Sequence, residues 1–454
     1  MTTAADSSLH AAEPGSAPVV ADRGLSRDVS DVVLERPTSR AWLIWALASL
    51  ALTMVFAYAI LHLFIAGVGI WGVNTSVVWG LALTNYVWWI GIGNAGTLIS
   101  SMLYLTRQDW RSSINRFAEA MTLFAALIAG LFPILHLGRP WLFAWLVPYP
   151  TTMGLPPNFN SPLVWDFFAI AVYLIVSLTF WYIGAVPDFA TLRDRARLRR
   201  QQVFYGILAL GWRGSAGHWR RYERAYILIA ALATPLVVSV HSVVGLDFAA
   251  SVAPGWNEPI YPPYFVVGAM YSGFAMVVVL AAIIRSAFNL HAYITERHFD
   301  LMGKMMLFGA LVLGYSYAME SFIGWYSAED MHLSIVVYKA TGDYWWVFWS
   351  LIACNVVIPQ ALWFPAARRR ILPLVVIAIL INIGMWLERY GIIVFTLSHG
   401  HMPSGRADYM PTVWDWALTI GSLGFFLLLF LVLVRLVPIV SMHEMRKLLR
   451  GRVQ

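Results

Sequence analysis

The sequence predicts an all-α polytopic membrane protein of about ten transmembrane helices. Of its 454 residues, 59% are hydrophobic and 12% charged, about half the charge of an ordinary soluble domain. Apolar runs of roughly 20 residues, the length that crosses about 30 Å of hydrocarbon, recur along the chain. The Lys and Arg residues collect at alternate ends of those runs.

The runs are expected as spans near 41–66, 77–105, 114–137, 161–184, 224–248, 262–290, 300–326, 343–364, 371–395 and 414–440. Twenty-two Trp, twenty Tyr and twenty-five Phe suit the headgroup level, where amphipathic rings settle. The first forty residues are polar and contain no apolar stretch of the kind a cleaved signal peptide needs, so they are expected to lack fixed structure until a partner binds. Spans four and five flank the longest polar connection, 185–223, which carries RDRARLRR at 193–200.

With the N-terminus inside, 27 of the 31 Lys and Arg fall on the cytoplasmic side, leaving Arg139, Lys339, Arg389 and Arg406 outside. Basic residues are retained on the cytoplasmic side of short loops, so this bias supports cytoplasmic termini and an even number of helices. The net charge of +7 is therefore a topology signal and implies no nucleic acid. Spans two to five and six to nine have the same orientation, as two four-helix bundles in a parallel repeat would. This divides the chain into a polar cytoplasmic tail (1–40), a first flanking helix (41–76), a first bundle (77–248), a second bundle (249–395), and a last helix with a cytoplasmic C-tail (396–454).

Ionisable groups inside a bilayer are costly, and each invites a functional reading. His136 closes the third span in LFPILHLGRPW, and Asp166 lies early in the fourth in SPLVWDFF. His241 and Asp247 occupy the last turns of the fifth, in PLVVSVHSVVGLDF. At about 1.5 Å per residue, all four are expected within the outer 10 Å or so of one leaflet, the periplasmic one. Pro133 and Pro235 precede the histidines and should kink their helices, and Arg139 stands where it could pair with a carboxylate or cap a pocket.

Clustered bases at one depth suit quinol oxidation, in which two protons leave per turnover to acceptors within hydrogen-bond reach. Neutral imidazole and a partly desolvated carboxylate are suitable bases, so His136 and Asp166 are the expected pair at the quinol head. The bland alternatives are a helix-end histidine at the interface and a carboxylate near the headgroups.

Asp247, His241, Glu320 and Glu388 are candidates for a proton path, with pairing of Glu388 to Arg389 an equal alternative. Glu119 is expected to snorkel, or to begin an inward half-channel. GIGNAG at 91–96 is read as helix packing, and His399 and His401 as a partner contact. A lone Cys354 cannot form an internal disulfide or an iron–sulfur cluster. The histidines also lack the two-depth pairing of a two-haem cytochrome. No metal, haem or iron–sulfur cluster is expected in this chain.

The run from WWIGIGNAGTLISSMLYLTRQDWRSSINRFAEAMTLFAALIAGLFPILHLGRPW through SPLVWDFFAI resembles the NrfD/polysulfide-reductase membrane-subunit family. The likeness is nearest to the larger NrfD-like quinol-binding subunit of bacterial alternative complex III and covers nearly the whole chain. HLGRPW, followed about thirty residues later by Trp165 and Asp166, is its most specific part.

That resemblance implies two four-helix bundles flanked by two further helices, in a bacterial inner membrane. It implies a menaquinol or ubiquinol site on the periplasmic side, with His136 and Asp166 at the matching positions. It also implies partners: c-type cytochrome subunits, an iron–sulfur subunit, a second NrfD-like subunit and lipid, with proton translocation as a further implication. Two competing readings are a secondary proton or solute transporter, whose polar site should lie at the midplane, and a structural anchor without a quinol site.

Overall fold

The computed structural model describes residues 22–146 and 160–451, and these form helices and turns, with no strand among them. Nine of the described helices are long and apolar enough to cross a membrane: α2 (Arg40–Ala66), α4 (Asn115–Leu135), α5 (Pro162–Arg195), α7 (Ala216–Ala249), α8 (Tyr261–Phe288), α9 (Glu296–Tyr326), the Trp345–Trp363 element, α13 (Ile371–Ser398) and α14 (Val413–Leu436). A further helix of 25 residues, α3 (Leu81–Leu105), stands among them, with twenty-one of its residues buried. Its Asn, Ser and Thr lower its hydropathy because it faces protein rather than lipid.

Helix ends follow local chemistry. Ser39 caps α2 by accepting the N–H of Trp42 at 3.1 Å, and Thr412 and Asp415 form a reciprocal capping box at the start of α14, satisfying N–H groups that a helix start leaves orphaned. Helix α8 ends at Asn289 in a left-handed conformation. The Trp345–Trp363 element is not one helix. It begins as α11 (Trp345–Ile352), continues as a π turn over Ala353–Val357 and closes as a 3-10 turn over Ile358–Trp363, just before the short α12 (Pro365–Arg369).

Helices α3 and α8 lie at the centre. Helix α3 packs on α4, α7 and α8, α5 packs on α7, and α8 packs on α9 and α13, while α2 pairs with α14 along one side. The close pairs are made with small residues. A Cβ on Gly273 of α8 would stand 1.7 Å from Cβ of Ala95, and one on Gly424 of α14 would stand 2.2 Å from Cβ of Leu52. In lipid, association rests on such packing more than on hydrophobic burial.

Two expectations are revised. Residues 22–34 of the polar tail form α1 (Asp22–Leu34), which buries Ser26, Val29, Ser30 and Val33 and lies against the C-terminal α15 (Met442–Gly451). Both ends of the described chain therefore share one face, called here the terminal face. The expected polar connection 185–223 is largely helical, because α5 continues to Arg195 and α6 (Arg199–Leu208) fills the gap before α7. Another short helix, α10 (Asp330–Thr341), packs on α9, α11 and α13 at the opposite face.

Candidate functional site

At the ends of α3, α5 and α7 on the opposite face, three titratable side chains come together. Tyr86, in the second turn of α3, donates its hydroxyl to Oδ2 of Asp166, in the second turn of α5 after Pro162. Asp247, in the last turn of α7, interacts electrostatically with both. Oδ1 of Asp166 and Oδ1 of Asp247 are buried with no hydrogen-bond partner. Buried polar atoms are nearly always satisfied, so two orphaned carboxylate oxygens on neighbouring residues mark a place where a ligand with hydroxyl donors, or a proton, belongs.

His136 stands at the end of α4, one turn after Pro133, and donates its backbone N–H to the carbonyl of Phe132 at 2.9 Å. The chain then turns at Gly138, whose φ of +78° suits glycine, and enters a 3-10 turn over Pro140–Leu146. No hydrogen bond or ion pair joins His136 to Asp166 among the described residues, and residues 147–159 between them lie outside that description. Arg139 is exposed and forms no ion pair with a described carboxylate.

His241 is not level with Asp166. Its Nδ1 meets Nδ2 of Asn94, which also donates to the carbonyl of Val237 at 2.9 Å. Asn94 lies eight residues beyond Tyr86, about 12 Å along α3, so His241 is a second polar node near the middle of that helix. The offset arises because α3 begins farther out than α7 ends. The surrounding GIGNAG run packs helices: a Cβ on Gly96 would stand 2.0 Å from the carbonyl oxygen of Ala118. The carbonyl of Gly93 accepts Thr122 Oγ1 at 2.6 Å and Tyr173 OH at 2.7 Å.

Helices α9 and α13 and the π turn hold a further polar group. Glu388 pairs with Arg389 at 2.6 Å and accepts the hydroxyl of Tyr317, which accepts Nδ2 of Asn355 at 3.0 Å. The π turn aims Asn355 inward, and such turns recur at functional positions. Glu320 is held by Lys339 of α10 at 2.5 Å and by Tyr261 at 3.4 Å. Between Glu320 and Glu388 lies a cavity of about 40 Å³, walled by Tyr264, Phe348 and Phe395, with room for a few waters.

Near the terminal face, Glu119 does not snorkel. It is buried beside Tyr226, whose hydroxyl donates to it at 3.4 Å. Around it, Arg116 pairs with Asp188 at 2.8 Å and Arg111 with Glu444 of α15 at 2.5 Å. His399 bonds Ser334 at 2.9 Å and stacks on Tyr338. No group of three or more His, Cys, Asp or Glu that could hold a metal occurs among the described residues.

Sequence reasoning missed Tyr86, Asn94, Asp188 and Glu444. For Tyr86 a signal existed: it sits as far into α3 as Asp166 sits into α5. Asp188 and Glu444 lay beyond the expected span ends, where a charge attracts no notice.

The family model described as "Polysulphide reductase, NrfD" matches residues 69–398. A selenate reductase subunit of Mesobacillus selenatarsenatis is 24% identical, over 81% of this chain and 87% of that protein. A putative dimethyl sulfoxide reductase membrane subunit of Halobacterium salinarum is 25% identical, over 83% and 89% respectively. The Hdr-like menaquinol oxidoreductase integral membrane subunit of Archaeoglobus fulgidus is 22% identical, over 88% and 93%.

Proposed function

The chain belongs to the NrfD polysulphide-reductase family, and from that membership we propose that it is the quinol-oxidising membrane subunit of a multi-subunit oxidoreductase. The reaction site is the outer end of the first bundle, on the face opposite the termini, which the distribution of Lys and Arg assigns to the periplasm. The observation that carries this reading is the Tyr86–Asp166 pair beside Asp247, with an unpartnered buried oxygen on each carboxylate. A relative named as a menaquinol oxidoreductase subunit supports the same substrate class, menaquinol or ubiquinol.

Asp166 accepts one quinol proton on Oδ1 while Tyr86 holds Oδ2 and fixes the carboxylate's orientation. His136 accepts the second proton, with Arg139 near the mouth. The two electrons leave for an iron–sulfur subunit and then for c-type cytochrome subunits, in a complex that also contains a second NrfD-like subunit, as in alternative complex III of a bacterial inner membrane. Protons pass to the periplasm by way of Asp247. His241, Glu388 and Glu320 form a further route through which oxidation contributes to proton translocation.

The test is quinol:acceptor activity of the intact complex carrying His136→Ala or Asp166→Asn, with the amount of every subunit measured alongside. A loss of about tenfold or more in a fully assembled complex is expected, since general acid–base groups contribute on the order of a hundredfold. Wild-type rates in both variants would move the quinol site elsewhere.

A further inference from the structure

The arginines between 193 and 224 take no part in the site above, and they bracket an exposed apolar helix in the chain. Helix α6 packs one face on α5: Tyr205 is buried near Phe189, with ring centroids 6.4 Å apart, and donates its hydroxyl to the carbonyl of Leu436 at 3.1 Å. The hydroxyl of Tyr182 donates to the carbonyl of Leu208 at 2.7 Å. Tyr182 lies thirteen residues before the end of α5, so α6 turns back along α5 toward its apolar stretch.

The other face of α6 is uncovered. Val203 and Ile207 lie one turn apart on it, and Leu210 follows in the turn after the helix, with Ile207 and Leu210 exposed by 69% and 72%. A hydrophobic stripe at this height, where α5 and α7 leave their apolar runs, faces the boundary between acyl chains and headgroups.

The charges divide into two sets. Arg193, Arg195 and Arg197 are matched by Asp194, Asp31 and Glu35. By contrast Arg199, Arg200, Arg213, Arg220, Arg221 and Arg224 are exposed and have no ion-pair partner among the described residues. The one acidic residue among them, Glu223, is taken by Lys447 at 3.2 Å. An excess of six guanidinium groups therefore flanks the apolar stripe along the chain, two at the start of α6 and four from Arg213 to Arg224.

We propose that α6 and the turn into α7 form an anionic-phospholipid site, in which the apolar stripe enters the acyl boundary and the unpaired arginines hold lipid phosphates on the terminal face. Unpaired cations alone would suit any polyanion. The stripe decides for lipid, because a soluble anion offers nothing to cover Ile207 and Leu210, whereas a basic helix with an apolar face lies in a membrane interface. The attraction grows with each cation near an anionic surface and is screened within a Debye length.

The experiment compares the delipidated intact complex with its Arg220→Gln, Arg221→Gln, Arg224→Gln variant in binding phosphatidylglycerol and phosphatidylcholine. Loss of phosphatidylglycerol binding by about tenfold or more is expected, with phosphatidylcholine unchanged. Equal binding by the two proteins overturns the proposal, as does displacement of phosphatidylglycerol by millimolar inorganic phosphate, which would make this a free-anion site. A photo-crosslinking residue at Ile207, in the otherwise unaltered complex in native membranes, gives a readout independent of the arginines. Lipid adducts are expected there, and adducts to a polypeptide would assign the face to a protein partner instead.

Discussion

The hydroxyl of Tyr86 on α3 donates to Oδ2 of Asp166 on α5, and Asp166 keeps its other oxygen buried and unpartnered. The pair bridges α3 and α5 near their first turns and gives the carboxylate a fixed direction. Tyr86→Phe removes the hydroxyl while keeping the ring, so the bundle should assemble. Quinol:acceptor turnover is expected to fall by about tenfold, with a larger fall for Asp166→Asn, as proton acceptors contribute on the order of a hundredfold or more. The check is kcat and KM in both variants at matched levels of assembled complex. Unchanged kcat in Tyr86→Phe would remove the tyrosine from the site.

Asp247 tests how far the site extends. It interacts electrostatically with Asp166 and Tyr86 but hydrogen-bonds neither. Asp247→Asn is therefore expected to lower turnover by less than Asp166→Asn while altering its dependence on pH, because two nearby carboxylates titrate as a coupled pair. A pH–rate profile of superimposable shape in the two proteins would separate Asp247 from the reaction.

Much of the architecture was legible in one dimension because lipid imposes a one-dimensional rule. Residues facing acyl chains must be apolar over a fixed length, and the alternation of Arg and Lys clusters orders the spans. What escaped depends on contacts between helices. Asn94 and Tyr86 read as unremarkable members of α3, and only the approach of α7 and α5 makes them partners of His241 and Asp166. Glu119 looked like a snorkelling residue because Arg116, Asp188 and the returning α15 were not visible around it. The break at Ala353–Val357 comes just before Pro359, which has no N–H for the carbonyl of Asn355; Tyr271 donates its hydroxyl to that carbonyl at 2.9 Å instead, and an apolar count carries no such information.

The π turn packs closely on Gly384 of α13. A Cβ there would lie 2.3 Å from Oδ1 of Asn355 and 2.6 Å from Cβ of Cys354. Gly384→Ala is expected to destabilise the assembled protein by about 2 kcal/mol, in the range of overpacking substitutions. Gly130→Ala is the control, since a Cβ at Gly130 meets nothing within 4 Å. Thermal unfolding of the purified complex distinguishes them, and equal midpoints would mean that the π turn yields without cost.

The docking of α15 provides a pH-dependent test outside the membrane-spanning helices. His443 stacks on Trp219 with ring centroids 4.1 Å apart, and burial, the largest influence, lowers its pKa from the ordinary 6.5 to about 4. Glu444 and Glu223 oppose that shift, while Lys447 and Arg446 add to it. Between those two values a released C-terminal segment binds a proton that the docked segment does not. Docking is therefore at full strength above about pH 6.5, weakens as pH falls, and levels off near pH 4. Cleavage of this segment by an added protease should be faster at pH 5 than at pH 7.5 in the intact complex. His443→Phe keeps an aromatic ring on Trp219 and removes the titration, so its cleavage rate should lose this component of the pH dependence once the protease's own profile is divided out. An identical profile in that variant would place the pH sensitivity elsewhere.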